Sequence, residues 1–181
     1  MNNIKPDAVL ESVVNLIKNT ISDAKIEYAS SSTATLKDGN DTIYLEQKSD
    51  NSGNSATIFI KDKQEIIFSE DLLDPLKDLD QTATIIVNDL DVETYLIFQA
   101  VKDEFDQLSN SYEFVKATEK EVQKAKSTFK FGKHVFDLIV SNERDQIIVA
   151  PEFSSSFDST IKKTIEADAL KVQHAMCAEF K

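Results

Sequence analysis

His174 and Cys177, near the end of the 181-residue chain, carry side chains that ligate metals or serve as base and nucleophile. Three positions apart, they project together from one side of an expected helix, the side opposite its apolar stripe. A zinc site takes about three or four ligands, and the only other histidine, His134, falls in an expected strand with no ligand-spaced neighbour. A cysteine nucleophile also wants a cation or a helix N-terminus to lower its pKa, and Cys177 stands at the wrong end of its helix. The pair reads as exposed and incidental, and neither a metal nor a cofactor is expected.

The acidic clusters raise other chemistries. Asp38–Asp41 and Asp50–Asn54 have the look of calcium loops, yet Ser55 stands where the sharp-turn glycine belongs and Lys61 where the bidentate glutamate belongs. Both read as hairpin turns, because Asp, Asn and Gly tolerate the positive φ of such turns. Glu70 with Asp71, and Asp89 with Asp91, are carboxylate pairs of the kind that serve as acid and base or hold magnesium. Such enzymes also need a groove of substrate contacts, and the chain has no Trp and only three Gly. Neither phosphate-cradling glycine motif occurs, and Ser154–Ser156 lack the G-x-S-x-G setting of a nucleophile. No catalytic residue is expected.

Charge carries more information. The chain has a net charge of −12, and residues 62–106 hold 13 acids against 3 bases, while 1–61 hold 8 against 6 and 107–181 hold 11 of each. An acidic central segment of this kind repels phosphates and attracts basic proteins. The expected partner is therefore a protein, basic or partly unfolded, with no direct binding to nucleic acid.

The elements that must present these charges follow from periodicity. Leu10, Val13, Val14, Ile17 and Ile21 recur at helical spacing and predict a helix over 6–24. Period-two, β-branched segments predict strands over 26–37, 42–48, 56–62 and 64–68. A short helical or turn segment around Pro75 and a strand at Thr84–Val87 follow. Asn88, Asp89 and Asp91 offer N-caps for a helix over 90–108. Its core stripe is Leu90, Ile97, Val101, Phe105 and Leu108, and its first half is apolar nearly all round, so it is sandwiched in the fold or pressed against a second chain. Thr118–Glu121 has capping-box spacing, but the helix it would start is short, polar and lysine-rich, and the segment reads as a surface connection. Strands over 129–140 and 146–151 and a helix over 157–179, with stripe Ile161, Ile165, Ala169, Val172 and Met176, complete the chain.

The expected fold is thus α+β: one domain, 1–181, with an antiparallel sheet of about five to seven strands flanked by N-terminal, central and C-terminal helices. That order of elements in a small acidic chain is similar to the type III secretion chaperones, although the segment 63–128 is longer than theirs. The resemblance is architectural and rests on no motif. It implies a homodimer that binds an extended partner segment, with Val92, Tyr95, Leu96 and Phe98 as first contacts.

The expected function is accordingly a non-enzymatic acidic protein-binding module, of export-chaperone, adaptor or inhibitor type, docking its partner on an apolar patch rimmed by carboxylates. One alternative is a nucleic-acid mimic that presents Asp71, Asp74, Asp78 and Asp80 to a DNA-binding protein. Another is an enzyme whose carboxylates converge beside His134 or a tyrosine. A lone cysteine, a first stretch without a secretory pattern and no apolar run near the roughly 20 residues that span a bilayer make the cytoplasm the expected location, without membrane insertion.

Overall fold

A computed structural model describes residues 3–63 and 82–180. The chain is α+β and, among the described residues, has three helices and strands gathered in two sheets of six and four. It divides into two compact units, Met1–Val92 and Glu93–Lys181; the sequence reading draws no boundary there. The expected strand 64–68, the turn segment around Pro75 and the acids Glu70, Asp71, Asp74, Asp78 and Asp80 lie outside the described residues.

In the first unit, helix α1 (Ala8–Thr20) precedes strands β1 (Lys25–Ser30), β2 (Thr33–Asp38), β3 (Asp41–Ser49), β4 (Ser55–Asp62), β5 (Thr82–Val87) and the two-residue β6 (Leu90–Asp91). They pair in chain order, antiparallel throughout except for β4 with β5, which run parallel. Alternation puts Ala34, Leu36, Ile43, Leu45, Ala56, Ile58 and Ile60 on one buried face. Against it packs α1, whose Leu10, Val13, Val14 and Ile17 are buried as their spacing predicts; Val9 is buried as well, and Ile21, expected in the stripe, is half-buried past the end of the helix. Each such aliphatic side chain contributes about 1.5–3 kcal/mol by leaving water. The buried Gln47 accepts the Leu10 amide at 2.9 Å, which satisfies one of the donors that a helix start leaves over.

The second unit holds most of helix α2 (Val92–Leu108), strands β7 (Tyr112–Glu121), β8 (Lys124–Phe131), β9 (His134–Glu143) and β10 (Gln146–Glu152), and helix α3 (Ser159–Phe180). The four strands form an antiparallel meander. Helix α3 packs on β10 and buries Ile165, Ala169, Val172 and Met176, while Ile161 is half-buried. Along the outer edge of β10 the Val149 amide donates to Gln173 Oε1 at 2.9 Å, the Ile147 carbonyl faces Cys177 Sγ at 4.0 Å, and Pro151 has no N–H to offer. That edge is closed to further strands.

The structure corrects several boundaries. Residues 26–37 are two strands, because Ser30 Oγ meets Thr33 Oγ1 at 2.8 Å and accepts the Ser32 amide at 3.2 Å, a hydroxyl-built turn. The stretch 129–140 is a hairpin around Gly132, whose φ is +58. A single strand would send Phe129 and Phe136 to opposite faces, whereas the hairpin makes them register partners with stacked rings 5.9 Å apart. Asn88 and Asp89 are not helix caps; both have positive φ and turn β5 into β6. The Asn88 amide group also exchanges two 2.9 Å hydrogen bonds with the Asp62 backbone.

Thr118–Glu121 is strand, not helix. Register sets Glu113 opposite Lys130, Glu119 opposite Lys126 and Glu121 opposite Lys124, so unlike charges face one another across the β7–β8 hairpin. Leu108, expected in the core, is 40% exposed at the end of α2.

Candidate functional site: an aromatic cleft on the second unit

The last two turns of α2, the first residues of β7 and the end of β8 line a cleft of about 220 Å³. Its floor is Phe105, Tyr112, Phe114 and Phe129; its rim is Lys102, Asp103 and Asp106, all from α2. Helical spacing explains the division. Val101 and Phe105 are four apart on the buried stripe, while Asp103 and Asp106 turn outward and are exposed. On the sheet side, Tyr112 and Phe114 alternate inward, and the β7–β8 register shifts directly after Phe114. Such a bulge bends a strand and re-aims its side chains.

The floor rings meet edge to face: Phe105 and Tyr112 at 4.9 Å and 71°, Phe114 and Phe129 at 5.5 Å and 72°. Phe98 joins Phe114 at 6.1 Å and 76°. Lys102 Nζ lies 4.5 Å from the centre of the Phe114 ring and 5.3 Å from that of Phe98. Both distances fall inside the roughly 6 Å within which a ring face attracts a cation.

Tyr112 is the polar fixture of the floor. Its hydroxyl donates to Asp168 Oδ2 at 2.7 Å, and Lys171 approaches the same carboxylate at 3.8 Å, which ties α3 to β7. Burial first, then the Asp168 carboxylate, pushes the phenol above its ordinary value of about 10. It therefore stays protonated at neutral pH and acts as a donor.

The residues singled out from the sequence are scattered. Val92, Tyr95 and Phe98 are 7%, 2% and 2% exposed, and Leu96 is half-buried, so the apolar half of α2 lies inside the protein. His174 is exposed, but Cys177 is half-buried against β10 rather than exposed beside it. His134 rests on the Phe157 ring at 5.6 Å. Asp89 pairs with Lys61 at 2.6 Å. Asp50 closes its hairpin as expected: its carboxylate accepts the Ser52 hydroxyl at 2.8 Å and the Asn54 amide at 3.1 Å, and the first of these does most to hold it below its usual range. Among the described residues no group of three or more His, Cys, Asp and Glu is placed to hold a metal ion, and no helix is long and apolar enough to cross a membrane.

No family model, curated protein or solved structure matches this chain. The cleft itself therefore carries the functional argument. Sequence reading passed over Tyr112, Phe114 and Phe129. A signal was present, since nine of the eleven phenylalanines lie beyond residue 93, but spacing alone does not bring α2 onto β7.

A second charged cluster lies on the other face of the same sheet. Lys126 reaches Glu152 at 3.3 Å and Asp137 at 4.0 Å, and Thr128 donates to Asp137 at 3.1 Å. The hydrogen bond to Glu152, followed by its charge, raises the Lys126 ammonium above its usual value. These groups answer one another, which makes the cluster a cross-strand network rather than a place for a ligand.

Proposed function

We propose that this protein is a non-enzymatic, acidic protein-binding module of export-chaperone, adaptor or inhibitor type, acting in the cytoplasm and docking a protein partner on an apolar surface rimmed by carboxylates. The observation that supports this reading is the cleft: a floor of four aromatic rings and a rim from which two carboxylates face water. Aromatic anchors in a pocket with a charged rim are the usual composition of a binding hot spot. The rim also belongs to the segment 62–106, where acids outnumber bases 13 to 3. A basic partner is drawn to that charge and a nucleic acid is repelled.

The test is capture of partners from the native host by the immobilised protein, followed by equilibrium binding of the identified partner to wild type and to D103K/D106K. Charge reversal at the rim is expected to weaken binding by tenfold or more, on the order of the coupling energies of close interfacial charge pairs. Unchanged affinity would remove the cleft from the interface. The homodimer implied by the chaperone resemblance is tested by light scattering of wild type and L96D. A monomer in both samples would count against it.

A further inference from the structure

We infer that the cleft receives a single arginine side chain, presented by an extended basic segment of the partner, and that Lys102 occupies part of this seat when the partner is absent. The inference rests on the protein-binding reading and specifies what its site recognises. Size is the first argument. At about 220 Å³ the cleft falls short of the roughly 300–1,000 Å³ of small-molecule and cofactor sites, so one side chain suits it better than a free metabolite.

Chemistry is the second argument. The protein already rests a cation on this aromatic wall, with Lys102 Nζ 4.5 Å from the Phe114 ring centre. Asp103 and Asp106 stand beside it, three apart on one helix and therefore about 5–6 Å apart at their Cβ atoms. Both are exposed, and neither pairs with a cation among the described residues. A ring face with two carboxylates at its margin satisfies both properties of a guanidinium, which stacks on aromatic planes and donates in a fork to carboxylates. A lysine ammonium uses only the first fully. An aliphatic side chain leaves the carboxylates unanswered.

Lys102 gives the inference a sign. An ammonium on the same wall repels an incoming guanidinium and competes for the ring, so removing its charge while keeping its stem strengthens arginine binding. Losing the rim carboxylates weakens it.

The experiment titrates isotope-labelled full-length protein with four nine-residue Gly/Ser peptides, identical except for a central arginine, citrulline, lysine or leucine, and reads amide shifts by NMR. The arginine peptide is expected to move resonances of α2, β7 and β8 saturably. Its Kd should rise about tenfold in D103N/D106N and fall several-fold in K102M, the range of one cation–π contact between exposed and desolvated sites. The substituted side chains are exposed or half-buried on α2, and the spectra of the variants report directly that the fold is kept.

Citrulline or leucine binding as tightly as arginine would overturn the cation assignment. Lysine binding equally would overturn the guanidinium. No shift at the cleft with any peptide would overturn the inference altogether. The protein-binding reading would survive each of these results as long as a partner is captured from the host; if that partner kept its affinity in D103K/D106K, the cleft alone would be removed from the interface.

Discussion

The two units are built on a similar plan, a helix followed by strands that pair in chain order, antiparallel but for β4 with β5, yet they fill their interiors differently. Every buried apolar residue described in the first unit is aliphatic, from Val9 to Val92. The second unit centres on Tyr95, Phe98, Phe105, Tyr112, Phe129 and Phe136. Branched aliphatic side chains interdigitate at the density of a crystal and leave little room between them. Rings set edge to face at 4.9–5.5 Å behave as plates, and where their array ends, at Phe114, a wedge of space and an aromatic face remain. A cleft can thus follow from the choice of core residue.

The largest expected effect tests whether the units are thermodynamically separate. Phe129→Ala should cost about 3–5 kcal/mol and Ile58→Ala about 2–5 kcal/mol, both residues being essentially inaccessible to water. In chemical denaturation each substitution is expected to lower the midpoint of one transition and spare the other. A single transition that shifts as a whole with either substitution would support the one-domain expectation for residues 1–181.

Next in size is a pair of glutamines that play mirrored parts. In the first unit a strand residue, Gln47, accepts a helix amide; in the second a helix residue, Gln173, accepts a strand amide, each at 2.9 Å. Gln47→Leu strands the buried Leu10 amide and should cost about 1–3 kcal/mol; Gln173→Leu, at a part-buried bond, falls nearer 1 kcal/mol. Only the second opens a sheet edge, so it alone should make light scattering depend on concentration. Association by the Gln47 variant instead would show that β10 is not the guarded edge.

The smallest effect separates the helix starts. Asp158 Oδ1 accepts the Thr160 and Ile161 amides at 2.9 Å each, whereas Asp7 makes no side-chain cap to α1. The Ile161 bond first, then that of Thr160 and the charges of His134 and Lys133, hold the Asp158 carboxyl below its ordinary range against the opposing effect of burial. A lowered folded-state pKa gives stability that is fully present above about pH 4 and is lost as pH falls through the lowered value. D158A should therefore lower Tm slightly at pH 7, with the gap to wild type closing toward pH 2. D7A should leave Tm unchanged at both, and a matching loss in D7A would mean that the two starts are not different after all.

Much of the fold was legible because its signals are local. The stripe Leu10, Val13, Val14 and Ile17 specifies one buried helix face whatever it packs on, and Asp50 with Ser52 and Asn54 closes a hairpin within its own residues. What misled was charge that looks helical when read along the chain. Thr118–Glu121 has capping-box spacing, yet its glutamates answer lysines on the neighbouring strand. The Gly132 turn was obscured because apolar residues continue on both sides of it; only the switch of inward positions from odd, at Phe129, to even, at Phe136, reveals the hairpin.

The candidate site was less legible than the fold. Its rim carboxylates were visible as part of the acidic central segment, but its floor was not. By itself the sequence determined the α+β class, the faces of α1 and α3 and the concentration of negative charge, because periodicity, capping and charge act over a few neighbouring residues. Only the tertiary structure decided that Asp103 and Asp106 line one cleft with Phe114 and Phe129, and that the apolar half of α2 is largely buried. Strand pairing and helix docking bring residues as far apart as Lys102 and Phe129 into this cleft, and no local pattern fixes where a ring array stops.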